Sequence, residues 1–354
     1  MTVVFRLKGT LMFRILGGIV AVILILVGLT FVASRGGHET YDAELFKPGP
    51  VIGLVKGLSD DALEGRKIGT AGSHRAQEII EARMQAMDLL KMGNSYRQPF
   101  DAVLGNLADG STEPVQGTNL VAVVQGTDPS GQVIVVTAHY DHLGVGEDGE
   151  IYNGADDNAS GVAALFAIAD HFTRKKSPPK HSLLLLVLDG EEQGSHGAKA
   201  FLEDRGGLPP GTIVFNLNLD MISRADNGKL WASGVPRTPS LRAVLEAVSE
   251  EAPLDLDIGF DGDNPEQDDW TMMSDHREFL KAGIPHLYLG VEDHPDYHKP
   301  TDDFENVDQD TLIKSVETII MVLRAIDNNL DEVLAGFDPN WQPAATEQSE
   351  TDEE

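Results

Sequence analysis

The chain has 354 residues, of which 41% are hydrophobic and 24% are charged, proportions that exclude wholesale disorder. It contains no cysteine, which excludes a disulfide scaffold, a thiolate zinc site and a cysteine nucleophile. With 27 basic against 57 acidic residues, the net charge is −30. Such a surface repels nucleic acid and suits a protein that binds cations, so we expect no nucleic-acid partner.

The N-terminal segment carries an uncharged apolar run over residues 15–33. As a helix this run would reach roughly 28 Å, close to the hydrocarbon thickness of a bilayer. Three basic residues precede it and only Arg35 soon follows, which favours a cytoplasmic N-terminus. We predict a basic stub and single transmembrane anchor over 1–35, with the rest of the chain periplasmic or extracellular. A cleaved signal peptide, which would release a secreted protein, is the alternative.

The exported part is predicted to contain a stalk over 36–54, a folded domain over 55–335 and an acidic disordered tail over 336–354. The stalk is rich in Gly, Pro and polar residues, and the last fourteen residues carry five acids and no base. Residues 250–269 contain nine acids and no Lys or Arg. We interpret this segment as a solvated loop, with a calcium site or a pocket-lining flap as alternatives.

Short apolar strands alternate with amphipathic helices along the folded domain. The spacing predicts helices over 75–90, 160–174 and 309–329, and strands over 119–125, 132–138, 182–188, 213–220 and 284–290. This alternation predicts an α/β three-layer sandwich, in which helices flank a central, largely parallel mixed sheet.

Imidazole and carboxylate groups follow several of these strands at the point where each strand ends. The groups are His139 and Asp141, then Asp189, Glu191 and Glu192, then Asp220, and finally His298; Asp156 and Asp157 lie in a Gly-flanked loop before a helix. The carboxyl ends of strands are where open α/β sheets bind ligands. Several buried carboxylates would repel one another unless cations neutralised them. Two His and three carboxylates suit zinc, with a further carboxylate as a general base.

Five sequence blocks occur in the order found in a known family. They are TAHYDHLG (137–144), IYNGADDNASGVAAL (151–165), DGEEQGSHGA (189–198), NLDMIS (218–223) and DYHKPTDD (296–303). The chain resembles the family-28 metallopeptidases, the dizinc aminopeptidases, over roughly residues 55–330. LEGRKIGTAGS (63–73) and QPF (98–100) are similar to the family's lead-in.

The resemblance implies two zinc ions per chain. The implied ligands are Asp157 bridging both metals, His139 and Asp220 on one metal, and Glu192 and His298 on the other. The family's DNxSG pattern selects Asp157 over Asp156, and the H-x-x-x-D spacing to Asp302 selects His298 over His294. The peptide bond after Asp157 would be cis.

Other residues receive roles from the same resemblance. Glu191 would be the general base, Asp141 would orient His139, and Tyr297 would donate a hydrogen bond to the tetrahedral intermediate. We interpret His142 as a packing or rim histidine. His276 is a candidate for the lining of the substrate pocket.

These observations predict an exported, membrane-anchored zinc aminopeptidase that acts on peptides with a free N-terminus. A glutaminyl cyclase, a dipeptidase or carboxypeptidase specificity, and a non-catalytic receptor or scaffold on the same fold are the alternatives. Loss of a ligand or of Glu191 would indicate the non-catalytic case, and all six residues are present.

Overall fold

The computed structural model describes residues 41–105, 112–174, 177–225 and 227–341. The apolar run 15–33 of the predicted anchor and residues 342–354 of the predicted tail lie outside these residues. Among the helices that are described, none is both long and apolar enough to cross a membrane. All the elements below belong to the unit that begins at Ala43.

The helices and strands follow the predicted alternation. The helices are α1 (Pro48–Leu58), α2 (Ala71–Ala86), α3 (Gly161–Arg174), α4 (His196–Asp204), α5 (Leu241–Ser249), α6 (His276–Lys281), α7 (Gln309–Asn328) and α8 (Leu330–Ala335). The strands are β1 (Leu90–Lys91), β2 (Arg97–Leu104), β3 (Glu113–Val124), β4 (Val133–His139), β5 (Gly144–Val145), β6 (Ile151–Tyr152), β7 (Ser182–Leu188), β8 (Ile213–Leu219), β9 (Lys229–Ser233), β10 (Asp255–Ile258) and β11 (His286–Gly290).

Helix α1 starts inside the residues predicted as a stalk. Its side chains Val51, Leu54, Val55 and Leu58 are buried, at the spacing of one helical face. The sequence PGP suggested a linker, but proline fits the first turn of a helix, where its missing N–H is not needed. Folded structure therefore begins before residue 55.

The described strands form a nine-stranded mixed sheet and a small separate hairpin of β5 and β6. The order in the large sheet is β1-β3-β7-β4-β8-β11-β9-β10, and β2 pairs with β3. The inner strands β7, β4, β8 and β11 are parallel to one another, whereas β3 pairs with β7 and β9 pairs with β11 in antiparallel fashion. The predicted central mixed sheet is confirmed.

Helices cover both faces of the sheet. On one face, Leu184, Leu186 and Leu188 of β7 pack with Phe201 of α4 and Phe279 of α6. The alternate leucines of β7 point to the opposite face, where α3 packs against β4, β7 and β8. Burial on both faces explains the unbroken apolar run of β7. This burial also holds β7, β4 and β8 side by side, so that the polar groups at their carboxyl ends lie at one edge of the sheet.

Candidate metal centre

The first cluster of candidate ligands joins the ends of β4 and β8 to the loop before α3. His139 Nε2 lies 3.3 Å from Asp157 Oδ1 and 3.2 Å from Asp220 Oδ1. All three residues are buried. Ser274 Oγ donates to the other oxygen of Asp220 at 2.6 Å, which holds that carboxylate in place.

The second cluster uses the other oxygen of Asp157. His298 Nε2 lies 3.2 Å from Asp157 Oδ2 and 3.3 Å from Glu192 Oε2. The two oxygens of Asp157 therefore face different clusters, as expected of a carboxylate that bridges two cations.

The spacing of these atoms fits zinc. Two ligands that each lie ~2.0–2.1 Å from a tetrahedral zinc ion are about 3.3 Å apart. The four imidazole–carboxylate distances are 3.2 or 3.3 Å. Mixed nitrogen and oxygen donors also favour zinc over calcium or magnesium, which prefer oxygen alone.

Hydrogen bonds to its backbone amides hold the loop that carries Asp157. Asp302 accepts hydrogen bonds from the amides of Asp156, at 3.0 and 3.2 Å, and of Asp157, at 3.0 Å. Gly154 has a φ of 57°, and a Cβ there would meet Asp157 O at 2.1 Å. The Asp157–Asn158 peptide bond is cis, in agreement with the resemblance.

Asp156 and His294 form a pair of their own beside the two clusters. His294 Nε2 is 3.2 Å from Asp156 Oδ2, and Ser223 donates to Asp156 Oδ1 through both its amide and its hydroxyl at 2.7 Å. The structure thus places Asp157 and His298 in the clusters and leaves their sequence neighbours out.

Asp141 holds the loop of the two glutamates. Its carboxylate accepts from the amides of Glu191 at 3.0 Å and Glu192 at 3.3 Å. Its Oδ1 is 3.7 Å from His139 Nδ1, while that nitrogen donates to the main-chain oxygen of Asp141 at 3.2 Å. His139 is therefore oriented more directly by the backbone of Asp141 than by its carboxylate.

Glu191 lines the cavity but belongs to neither cluster. Its Oε1 accepts from Ser195 Oγ at 3.2 Å and lies 3.8 Å from Arg277 Nη2. Burial raises the pKa of Glu191 well above its ordinary value, and neighbouring carboxylates act in the same direction. The ring of Tyr297, another lining residue, stacks on His298 at 3.9 Å between centroids.

Protonated imidazoles neutralise part of the negative charge of the carboxylates in the two clusters. Burial alone would lower the pKa of His298, but its bonds to Asp157 and Glu192 outweigh burial and raise it to about 10. Likewise, the pKa of Asp157 falls well below its usual range because three histidines outweigh its burial. A divalent cation between these groups would replace the protons on the imidazoles.

His142 is a functional candidate that the sequence analysis did not select. It is fully buried, and its Nδ1 lies 2.7 Å from Glu192 Oε1 and 3.7 Å from Asp157 Oδ2. The oxygen of Glu192 that faces His142 is not the one that faces His298. His142, Asp157 and Glu192 therefore also form a group that could hold a metal ion, and the position of His142 three residues after His139 was the available signal.

Arg66 is a second residue that went unselected. Its side chain is fully buried, and it donates to the main-chain oxygens of Leu58, Tyr140, Asn153 and Gly154. Tyr140 follows His139, and Gly154 opens the loop of Asp157. One guanidinium thus ties together the two segments that carry these ligands.

The cavity at the clusters has a volume of ≈ 270 Å³. His276 does not line it: this residue is fully buried, lies 2.9 Å from Trp270 O and stacks on His286. Its neighbour Arg277 reaches the cavity instead. The expectation for His276 was wrong because the first turn of α6 turns its imidazole toward β11.

The acidic segment 250–269 packs against a residue of the cavity lining. Phe260, which lies within it, stacks on Trp270 with a centroid distance of 3.8 Å, and Trp270 lines the cavity. Asp269 caps the short turn of Trp270 by accepting from Thr271 N. The segment therefore contacts the lining residue Trp270 without itself supplying a residue of the cavity lining.

An α/β sheet with overlapping imidazole–carboxylate clusters at its carboxyl edge is typical of metal-dependent hydrolases. The chain belongs to peptidase family M28, whose sequence profile matches residues 119–323. The resemblance seen in the five sequence blocks is confirmed.

Solved structures share the fold. The zinc aminopeptidase BSAP from Bacillus subtilis superposes with a TM-score of 0.63 at 16% identity, covering 79% of this chain and 95% of that one. A glutaminyl cyclase from Fimbriiglobus ruber gives a TM-score of 0.61 at 18% identity, covering 82% and 99%.

Curated relatives are more similar in sequence but much longer. The BOS complex subunit NCLN of Canis lupus familiaris is 28% identical over 237 residues, which is 62% of this chain and 41% of that protein. A vacuolar membrane protease of Pyrenophora teres f. teres is 27% identical over 209 residues, or 54% of this chain and 21% of the relative. The chain therefore spans less than half the length of either protein.

Proposed function

We propose that this protein is an exported, membrane-anchored aminopeptidase that uses two zinc ions to hydrolyse the N-terminal peptide bond of peptides. The observation that supports this most strongly is Asp157, whose two oxygens face two separate clusters at distances suited to zinc. His139 and Asp220 would complete one site, and Glu192 and His298 the other.

The chemistry follows from the positions of the protein groups. Bound zinc would lower the pKa of a coordinated water and polarise the scissile carbonyl. Glu191, which belongs to neither cluster, would take the proton of the attacking water and return it to the leaving nitrogen. Its raised pKa suits a carboxylate that must both accept and release a proton during the reaction. Tyr297 would donate a hydrogen bond to the developing oxyanion.

The cavity wall supports recognition of a free N-terminus. Asp293 lines the cavity and belongs to neither cluster, so its carboxylate can pair with a substrate ammonium. The net charge of −30 would also draw cationic peptide ends toward the protein.

Membrane anchoring and export are supported by the apolar run 15–33 and its flanking charges. The name of one relative, a vacuolar membrane protease, agrees with membrane attachment.

The test is an assay of the purified domain on a pair of peptides that differ only in N-terminal acetylation. We expect hydrolysis of the free peptide, no hydrolysis of the acetylated one, and loss of activity with a chelator that added zinc restores. Cleavage of the acetylated peptide at an internal or C-terminal bond would contradict the aminopeptidase assignment.

Assays on the same purified domain distinguish two alternative functions. The neighbour from Fimbriiglobus ruber is a glutaminyl cyclase, so cyclisation of an N-terminal glutamine without peptide hydrolysis would favour that activity. The relative NCLN is a complex subunit, so absence of both metal and hydrolysis would favour a non-catalytic role.

A further inference from the structure

Arg277 brings a permanent positive charge to the lining of the cavity. It is the sole lysine or arginine among the described residues that line it. Its side chain is 22% exposed, and its Nη2 lies 3.8 Å from Glu191 Oε1. A cation beside the proposed base has no role in the chemistry derived above.

The ion pairs that Arg277 makes with Glu191 and Glu278 are long, at 3.8 and 3.5 Å. Its Nη1 donates to Met272 O at 3.3 Å, and its Nε is 3.5 Å from Glu278 Oε1. Lys281 Nζ lies closer to that same oxygen, at 2.8 Å, and so takes the stronger ion pair. Since a guanidinium has five N–H groups, Arg277 retains donors for a ligand in the cavity.

We propose that Arg277 binds the free α-carboxylate of the residue on the leaving side of the scissile bond, so that dipeptides are the preferred substrates. The inference rests on the proposed function, because it takes Glu191 as the group that returns the proton to the leaving nitrogen. In a dipeptide this nitrogen and the carboxylate share one Cα. A carboxylate so placed comes within reach of a guanidinium beside Glu191, which can bind it through two parallel hydrogen bonds.

Longer peptides present an uncharged amide at the same position. The discrimination therefore depends on one charge, and substrates that differ only in this charge test it. The pair is leucyl-alanine and leucyl-alaninamide, with leucyl-p-nitroanilide as a substrate that lacks the group altogether.

We expect the zinc-loaded wild type to show a kcat/KM about 10- to 100-fold higher for the free acid than for the amide. Arg277→Met should remove this preference by lowering kcat/KM for the acid more than for the amide or the anilide. Arg277→Lys should restore part of the preference, because it keeps the charge without the planar fork. Arg242→Met is the control, since Arg242 is an exposed cation that does not line the cavity, and it should leave the ratio unchanged.

The wild type alone can overturn the inference, which protects the test against a variant that does not fold. Equal kcat/KM for acid and amide would refute it while leaving the aminopeptidase intact. An equal loss on all three substrates in Arg277→Met would also refute it, because Arg277 would then act through Glu191. Failure of the zinc-loaded wild type to hydrolyse any of the three would overturn the proposed function and this inference together.

Discussion

Replacing Arg66 by methionine tests how the two segments that carry metal ligands are held together. Methionine keeps the apolar part of the side chain and removes every donor. The main-chain oxygens of Leu58, Tyr140, Asn153 and Gly154 would lose this partner in a region without solvent. Buried carbonyl groups left without donors are destabilising.

The expected magnitude follows from two opposing terms. Hydrogen bonds from a charged donor contribute about 1.5–3 kcal/mol each, so four contribute roughly 6–12 kcal/mol. Burial opposes them, since it lowers the pKa of Arg66 from 12.5 to about 10. At ~1.4 kcal/mol per pKa unit, this costs about 3 kcal/mol. Arg66→Met should therefore lower the free energy of unfolding by about 3–9 kcal/mol.

Urea denaturation followed by circular dichroism measures this change. Arg75→Met is the control, because Arg75 is 40% exposed and pairs with Glu64 at the surface. Its loss should cost no more than about 1 kcal/mol. If both variants fell within that range, the buried hydrogen bonds of Arg66 would not hold the loops as argued.

Three further predictions concern proton transfer, pH and topology. Glu191→Gln should keep its zinc and lower kcat by about 10²–10⁴; a near wild-type kcat would show that another residue is the base. Burial lowers the pKa of His276 to about 4, so the folded state binds fewer protons than the unfolded state between about pH 6.5 and 4. The contribution of His276 to the free energy of unfolding should therefore fall as the pH drops through this window, so the free energy of the wild type minus that of His276→Gln should decrease from pH 6.5 to 4 in urea denaturation; a difference that does not change with pH would contradict the assignment. An alkaline phosphatase fusion after residue 40 should be active and a green-fluorescent fusion dark, because positive charge precedes residues 15–33; the opposite pattern would place the domain in the cytoplasm.

The convergence of the candidate ligands could be predicted from sequence because it depends on strand ends. His139, Glu192 and Asp220 each follow a buried apolar strand, and the order β7-β4-β8 places those ends side by side. The resemblance then separated Asp157 from Asp156 and His298 from His294, and the contacts of each pair agree with that choice. Adjacent parallel strands leave little freedom in where the groups at their carboxyl ends can lie.

The supporting residues could not be predicted because their roles depend on contacts between distant parts of the chain. Arg66 bonds to Tyr140 and Gly154 across 74 and 88 positions, and nothing in its local sequence marks it as buried. Arg277 was overlooked in favour of His276, since the sequence does not show which of two adjacent side chains enters a cavity.

The ends of helix α2 differ from the predicted ones because apolar spacing does not show where a helix is capped. The apolar spacing predicted a helix over 75–90, whereas α2 begins at Ala71, because Thr70 accepts from Ser73 N and starts the helix one turn earlier. It ends at Ala86, and Leu90 instead pairs with Val123 in the sheet.

The shared carboxylate of Asp157 is the central claim, and zinc stoichiometry tests it most directly. Elemental analysis of the purified, zinc-loaded domain should give about two zinc ions per chain in the wild type. Asp220→Asn, which alters one cluster, should retain about one, whereas Asp157→Ala should retain none although it also removes one carboxylate. A single zinc ion retained by Asp157→Ala, or no stoichiometric zinc in an active wild type, would contradict the bridging assignment.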